Sequence, residues 1–329
     1  MVMMDVSIDL LIQFMLVISV FLLVFSIYLL LNRAMEVARE RKKAAYIKEY
    51  QDAWYHYVRG SGPFPESLMP RNTYELYGVE QIFLSYIKNV SDPLIREKIK
   101  LFSNESMKDH YGKLLASRKW SIRMNALYMV VDFHIDSLID HCIGMEKKKL
   151  SPDEQFQLLK IYSLFKPDLF LKKILEDPPL FSEYECKKLF KTVDDSVVKQ
   201  LIKNFHQLSS TCKYAFINTL GMKREIGTVP FLESLLKEED AEIRIRSLKA
   251  IHEIGTLHQI EKYTPFISSE IWEERLMAAK VLGNLPLRDS VPYLETLLAD
   301  EAWRVRQEAA KTLKMDTHTI MLEREQQIY

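Results

Sequence analysis

The densest grouping of side chains able to ligate a metal or move a proton is Asp132, His134, Asp136, Asp140 and His141, beside Cys142. Imidazoles and carboxylates hold zinc, or work as an acid–base pair, when they converge within one small sphere. On one helix, His134 and His141 would share a face and Asp132, Asp136 and Asp140 another. The two sets do not converge, so the stretch is read as a solvated polar helix face. His252-Glu253 followed by His258 fails the zinc-protease spacing, which needs the second histidine four residues after the first. The sequence contains no phosphate-cradling glycine loop and no Gly-x-Ser-x-Gly, and acid pairs such as Glu238-Glu239 and Asp194-Asp195 read as turn residues. Cys142, Cys186 and Cys212 are widely spaced and odd in number, which suits buried thiols in a reducing compartment rather than a disulfide or zinc framework. No catalytic residue, cofactor or metal ligand is assigned.

The elements that carry these side chains are helical. Only 9 glycines occur in 329 residues, Leu, Ile, Lys and Glu are abundant, and 48% of the chain is hydrophobic, enough for a large folded body. Lys plus Arg equals Asp plus Glu at 45 each, so no global charge selects nucleic acid or an acidic polymer.

From Leu10 to Leu31 no charge interrupts the chain, and at about 1.5 Å per helical residue the stretch matches a hydrocarbon core of about 30 Å. Asp5 and Asp9 precede it where a cleaved signal would carry basic residues. Arg33, Arg39, Arg41, Lys42, Lys43 and Lys48 follow, so the positive-inside asymmetry predicts a single span in the cell membrane with the amino terminus outside and the rest cytoplasmic. The basic cluster is read as a topology signal, with contact to anionic headgroups as the alternative. The span should continue as a helix through Val58. Tyr46, Tyr50 and Trp54 recur on one face of it and require a cover. Packing against the chain's own domain is the leading reading; a partner, a second copy or lipid are the others. Gly60-Ser-Gly-Pro-Phe-Pro then marks a partly packed join. The expected domains are 1–9 outside, 10–31 the span, 32–58 the basic and aromatic helix, 59–71 the join, 72–316 a repeat domain and 317–329 a tail or cap.

Self-similarity supports the repeat domain. Val229-Pro-Phe-Leu-Glu-Ser-Leu-Leu236 returns as Val291-Pro-Tyr-Leu-Glu-Thr-Leu-Leu298. Between them a looser first helix is expected at Tyr263-Thr-Pro-Phe-Ile267. Each first helix yields to a second after an acidic turn: Asp240 with Arg246, Glu270 and Trp272 with Arg275, and Asp300 and Trp303 with Arg306. Upstream, Asp92 with Arg96 and Trp120 with Arg123 carry the same pattern, and Lys213 replaces the arginine in Thr211 to Gly221. Residues 152–165 and 182–193 are amphipathic stretches of suitable length for further units.

The pattern resembles HEAT repeats, in which two antiparallel helices form a unit and the second opens with Asp, an apolar residue, Arg and Ala. The match extends over residues 224–316. It implies an all-α fold, an α-solenoid of about seven or eight helical hairpins following one transmembrane helix. Such acids and arginines read as internal fasteners, capping helices and bonding neighbouring units.

What the resemblance implies for function is a scaffold or regulatory subunit that binds a protein partner, itself membrane-associated, through the repeat surface. Some HEAT-like proteins are enzymes and one class grips DNA, but fold alone does not transfer activity. Arg244, Lys249, Lys280, Arg304 and Lys311 alternate with Glu253, Glu273, Glu274 and Glu308, so no phosphate-tracking groove is expected. The alternatives are an enzyme or metal-dependent activity near His134 to His141, and a homo-oligomeric membrane platform using the Tyr46, Tyr50, Trp54 stripe.

Overall fold

The computed structural model describes residues 8–176, 180–255 and 259–313. The tail expected as a cap, His258 and the first residues of the expected extracytoplasmic segment lie outside them. The fold is all-α, an α-solenoid of helical pairs preceded by one long apolar helix, with no strand among the described residues. The chain divides into two compact units, Met1–Leu138 and Ile139–Tyr329.

Unit 1 begins with α1 (Ile8–Arg59), a single helix of 52 residues. Neither Gly nor Pro interrupts it, so nothing in the backbone demands a break between the apolar stretch and the charged one. Side chains 12–31 are exposed on every side, and the helix is long and apolar enough to cross a membrane. Residues 33–42 are exposed as well, about 15 Å of helix at 1.5 Å per residue, and contact with the rest of the unit starts where Lys42 lies 5.4 Å from the Tyr74 ring. Ion pairs Arg33–Glu36 and Lys43–Glu40, both 2.7 Å, run along this stretch. They are the short-range pairs that help an isolated helix stand in water.

Burial begins at Tyr46, and α2 (Thr73–Asn89) and α3 (Pro93–Phe102) supply the cover. Asn72 caps α2 by accepting from the Tyr74 and Glu75 amides, and Asp92 caps α3 by accepting from Leu94 at 2.9 Å. A π-helical turn, Ser103–Met107, joins α3 to α4 (Lys108–Leu115). α5 (Trp120–Asp132) then packs against α4.

Unit 2 holds α6 (Ile139–Met145), α7 (Pro152–Phe165), α8 (Pro167–Glu176), α9 (Glu183–Thr192), α10 (Asp195–Lys203), α11 (Ser210–Lys223), α12 (Val229–Ser234), α13 (Ala241–Ile254), α14 (Trp272–Leu282), α15 (Leu287–Leu298) and α16 (Trp303–Thr312). The two amphipathic stretches lacking a repeat arginine form α7 and α9. Each opens on a reciprocal capping box, Ser151 with Glu154 and Ser182 with Glu185. The second helices α9, α11, α13, α14 and α16 pack side by side, with α12 and α15 against their neighbours α13 and α16. Gly221 permits the closest approach in this layer, since a Cβ there would lie 2.8 Å from Ala250 Cα.

Where a looser first helix was expected at Tyr263 to Ile267, the chain makes two 3-10 turns, Ile260–Lys262 and Thr264–Ser268. Pro265 has no amide to donate, and the turns are pinned instead by Tyr263, whose buried hydroxyl donates to Glu233 at 2.7 Å.

Candidate interaction surface

The aromatic stripe of α1 is folded inward. Trp54 is fully buried and its ring meets Phe83 and Phe102 edge-on at 5.1 and 5.0 Å, with Phe64 at 5.9 Å. Its indole N–H donates to the Tyr46 hydroxyl at 3.1 Å, which donates to the Leu68 carbonyl at 3.3 Å. Tyr46 lies against Gly78 of α2, where a Cβ would come 2.5 Å from the ring, so glycine is what admits the contact. Tyr46 and Trp54 are therefore removed from any partner or lipid surface. Tyr50, stacked on Tyr46 at 4.7 Å, is only partly buried.

A residue not singled out from the sequence completes this joint. The Lys98 ammonium of α3 donates to the carbonyls of Tyr57 at 2.9 Å and Gly60 at 2.5 Å and sits 4.5 Å from the Tyr57 ring centre. It neutralises the orphan carbonyls where α1 ends. No local pattern marks it, because its partners lie about forty residues away in sequence.

In the repeats, one arginine geometry recurs. The Nη1 of Arg123 donates to the carbonyls of Ser117 and Arg118, that of Arg275 to Ser269 and Glu270, and that of Arg306 to Asp300 and Glu301. Each is the fourth residue of its helix and ties that helix to the turn before it. In α13 the same place is held by Arg244, donating to Glu238 and Glu239 at 2.7 and 2.8 Å, and not by Arg246. The register expected from Asp240 is thus displaced by two residues. Asp240 is itself the cap of α13, accepting from Glu242 at 2.9 Å, whereas Asp300 lies three residues ahead of α16 and accepts from Ala302 at 2.8 Å. Aligning the two aspartates therefore misaligns the arginines. The signal that finds the true register is spacing, since Lys213, Arg244, Arg275 and Arg306 fall at equal intervals of 31. Arg96 is also fourth in its helix but reaches back to the Ile87 carbonyl at 3.2 Å.

Two of these arginines also reach forward to the next unit. Arg244 Nε donates to buried Glu274 at 2.7 Å, and Arg275 grips Asp300 with two bonds of 2.6 and 3.0 Å. Partial burial works against the Asp300 anion, but the Arg275 fork outweighs it and holds the carboxyl below its ordinary range.

Arg246 joins a different network. It crosses the Tyr214 ring of α11 at 4.7 Å to donate to Glu183 of α9 at 2.7 Å, and also to Glu242 at 2.6 Å. Glu183 accepts from Asn218 at 3.0 Å and Lys187 at 2.6 Å as well. Partial desolvation raises the Glu183 carboxyl, yet the bonds from Lys187 and Arg246 prevail and bring it down to about 2. Three helices are clasped here by groups that satisfy one another. Among side chains of the layer that stay open are Tyr184 with Lys188 over its ring at 4.4 Å, and Trp303 with Arg304 lying 5.6 Å from both the Trp272 and Trp303 rings. Trp120 of unit 1 is likewise half exposed at the start of α5.

The histidine and aspartate grouping is not on one helix. α5 stops at Asp132, Phe133 caps it, and His134 adopts a left-handed conformation at φ 53°. Asn104 holds that turn by donating to the His134 carbonyl at 2.9 Å and accepting from the Ser137 amide at 2.9 Å. Asp136 then belongs to a 3-10 turn, while Asp140 and His141 belong to α6. The expectation of one shared polar helix face is corrected accordingly. Among the described residues no three His, Cys, Asp or Glu side chains lie close enough to hold a metal ion. Cys142 is buried, and burial pushes its thiol up to about 12.

Residues 260–319 match the family model for HEAT repeats. That stretch, which contains the Arg275–Asp300 fastener, is similar to HEAT repeats. Among solved structures, the crystal structure of one engineered protein is similar at 15% identity, covering 70% of this chain and 95% of that one with a TM-score of 0.34. A second engineered protein is similar at 13% identity, covering 85% of this chain and 95% of that one with a TM-score of 0.36. No curated protein matches the chain.

Proposed function

We propose that this chain is a non-enzymatic, membrane-anchored scaffold or regulatory subunit. Residues 10–31 cross the membrane, the amino terminus faces outward, and the helical-repeat units hold a protein partner on the cytoplasmic side. The observation that carries the reading is the two-ended character of α1. Its apolar length is uncovered by protein on all sides, while its far end is locked by Trp54 and Lys98 into unit 1. A helix that is bare, apolar and long calls for lipid as its solvent, and the charged, exposed stretch 33–42 then acts as a spacer of about 15 Å.

The partner class follows from the repeat layer. Its charges are largely spent on one another, as at Glu183 and Glu274, which supports protein recognition by aromatic and cationic edges such as Tyr184 and Trp303 over tracking of a phosphate backbone. The partner is itself membrane-associated, because the spacer keeps the repeats near the bilayer.

Affinity capture of the full chain in mild detergent tests this. A stoichiometric membrane-protein partner should be recovered, and it should be lost when residues 224–313 are deleted but kept when His134 and His141 are both changed to alanine. Recovery of the chain alone across several detergents contradicts the proposal. Loss of the partner on changing the two histidines would favour a site in that region.

A further inference from the structure

The sulfurs of Cys186 and Cys212 lie 3.2 Å apart, and both side chains are only 1% exposed. Their place in the repeat is informative. Cys186 is the fourth residue of α9, and Cys212 is the third residue of α11, the second helix of the next unit. Arg244 is likewise the fourth residue of α13, and its partner Glu274 is the third residue of α14. The thiol pair therefore occupies the site where another pair of units is joined by a charged hydrogen bond. Two thiols form a much weaker link than Arg244 with Glu274 does, unless they are joined covalently.

We propose that Cys186 and Cys212 form an oxidisable dithiol site, a fastener between consecutive repeat units that hydrogen peroxide converts from a contact into a disulfide. Of the two, Cys212 is set up as the nucleophile. It lies in the first turn of α11, where the helix end favours an anion. The hydrogen bond shared by the two sulfurs lowers the Cys212 thiol and correspondingly raises that of Cys186. The Cys212 thiolate attacks one peroxide oxygen, the O–O bond breaks, and the departing hydroxide takes a proton to leave as water. Cys212 is then a sulfenic acid. The Cys186 sulfur displaces its hydroxyl, the S–S bond forms, and a second water carries off the Cys186 proton. Two electrons pass from sulfur to peroxide, and an external dithiol reverses the change. The pair is sealed from bulk solvent, so the reaction waits on brief opening of the α9–α11 seam, and only a water-sized oxidant passes readily. Cys142, buried with its thiol pushed up, is a bystander.

The full chain in detergent micelles, exposed to hydrogen peroxide and then digested, tests the assignment by mass spectrometry. One intramolecular link joining the Cys186 and Cys212 peptides is expected, with loss of two of the three thiols, a melting temperature several degrees higher, and reversal by dithiothreitol. C142S should behave as the wild type. C186S and C212S should each abolish both the link and the thermal shift, with C186A and C212A as alternatives if a serine buried there prevents folding. The proposal is overturned if peroxide leaves all three thiols free, if it yields links only between molecules, or if Cys212 proceeds to sulfinic acid without joining Cys186.

Discussion

The foot of α1 in unit 1 is held by aromatic rings converging on Trp54, whereas the second helices of unit 2 are held by arginines reaching across turns and between repeats. Both joints bury a side chain that donates hydrogen bonds. They differ in what is lost when that side chain is removed. A cluster of rings loses packing and leaves a cavity, so its cost scales with volume. An arginine fork leaves carbonyls and a carboxylate without donors, so its cost depends on how deeply those partners are buried. The long helix that carries the apolar stretch is thus secured to its unit mainly by packing, and the repeats, which must be stacked in register, are secured by directional bonds.

The largest effect is expected at the ring cluster. Trp54→Ala should cost unit 1 about 3–5 kcal/mol, read as loss of amide protection across residues 46–58 and α2, with α13 to α16 unaffected. Equal deprotection of both units would erase the distinction between the two joints. Next comes the repeat fastener. Arg244→Ala should destabilise unit 2 by about 2–3 kcal/mol because Glu274 is buried and loses its charged donor. Arg246→Ala, whose partners are more open to solvent, should cost less than about 1 kcal/mol. Urea titrations of the two variants decide which arginine holds the repeat register, and the reverse order would restore Arg246 to it.

Lys98→Met keeps the aliphatic stem and removes the cap on α1, with an expected cost of about 1–2 kcal/mol and faster amide exchange confined to residues 56–60. The smallest effect is at Glu183. Its carboxyl is depressed to about 2 when folded, so its contribution is complete above the ordinary carboxylate range and is lost as pH falls through about 2. Between pH 5 and pH 2, Glu183→Gln should flatten the decline in unit 2 stability seen in the wild type. A decline of equal slope in both would remove Glu183 from that account.

Much of this was legible in sequence because it rests on local patterns. The charge-free run after Leu10, the basic residues beyond it and the i, i+4, i+8 spacing of Tyr46, Tyr50 and Trp54 need no tertiary knowledge, although which of the three covers lay over the stripe did. The arginine ladder was legible as a recurrence but not in its register, because Asp240-Ala-Glu-Ile-Arg-Ile-Arg offers two arginines and the aspartate does different jobs in the two repeats. The break at His134 carried no Gly or Pro to announce it; the left-handed turn is bought by Asn104, thirty residues away. Lys98 and the Cys186–Cys212 contact are likewise products of packing between segments distant in sequence.

The most direct test of the anchored arrangement is accessibility of single cysteines placed along residues 12–58 of the full chain in membranes, with native Cys142, Cys186 and Cys212 replaced. A water-soluble maleimide should fail at every position from 14 to 30, label all faces of the helix from 33 to 42, and fail again at 58 while labelling 49 and 53. Labelling throughout 14–30, or a one-sided pattern of protection from 33 to 42, would contradict a lipid-embedded helix continuing as a bare spacer into unit 1.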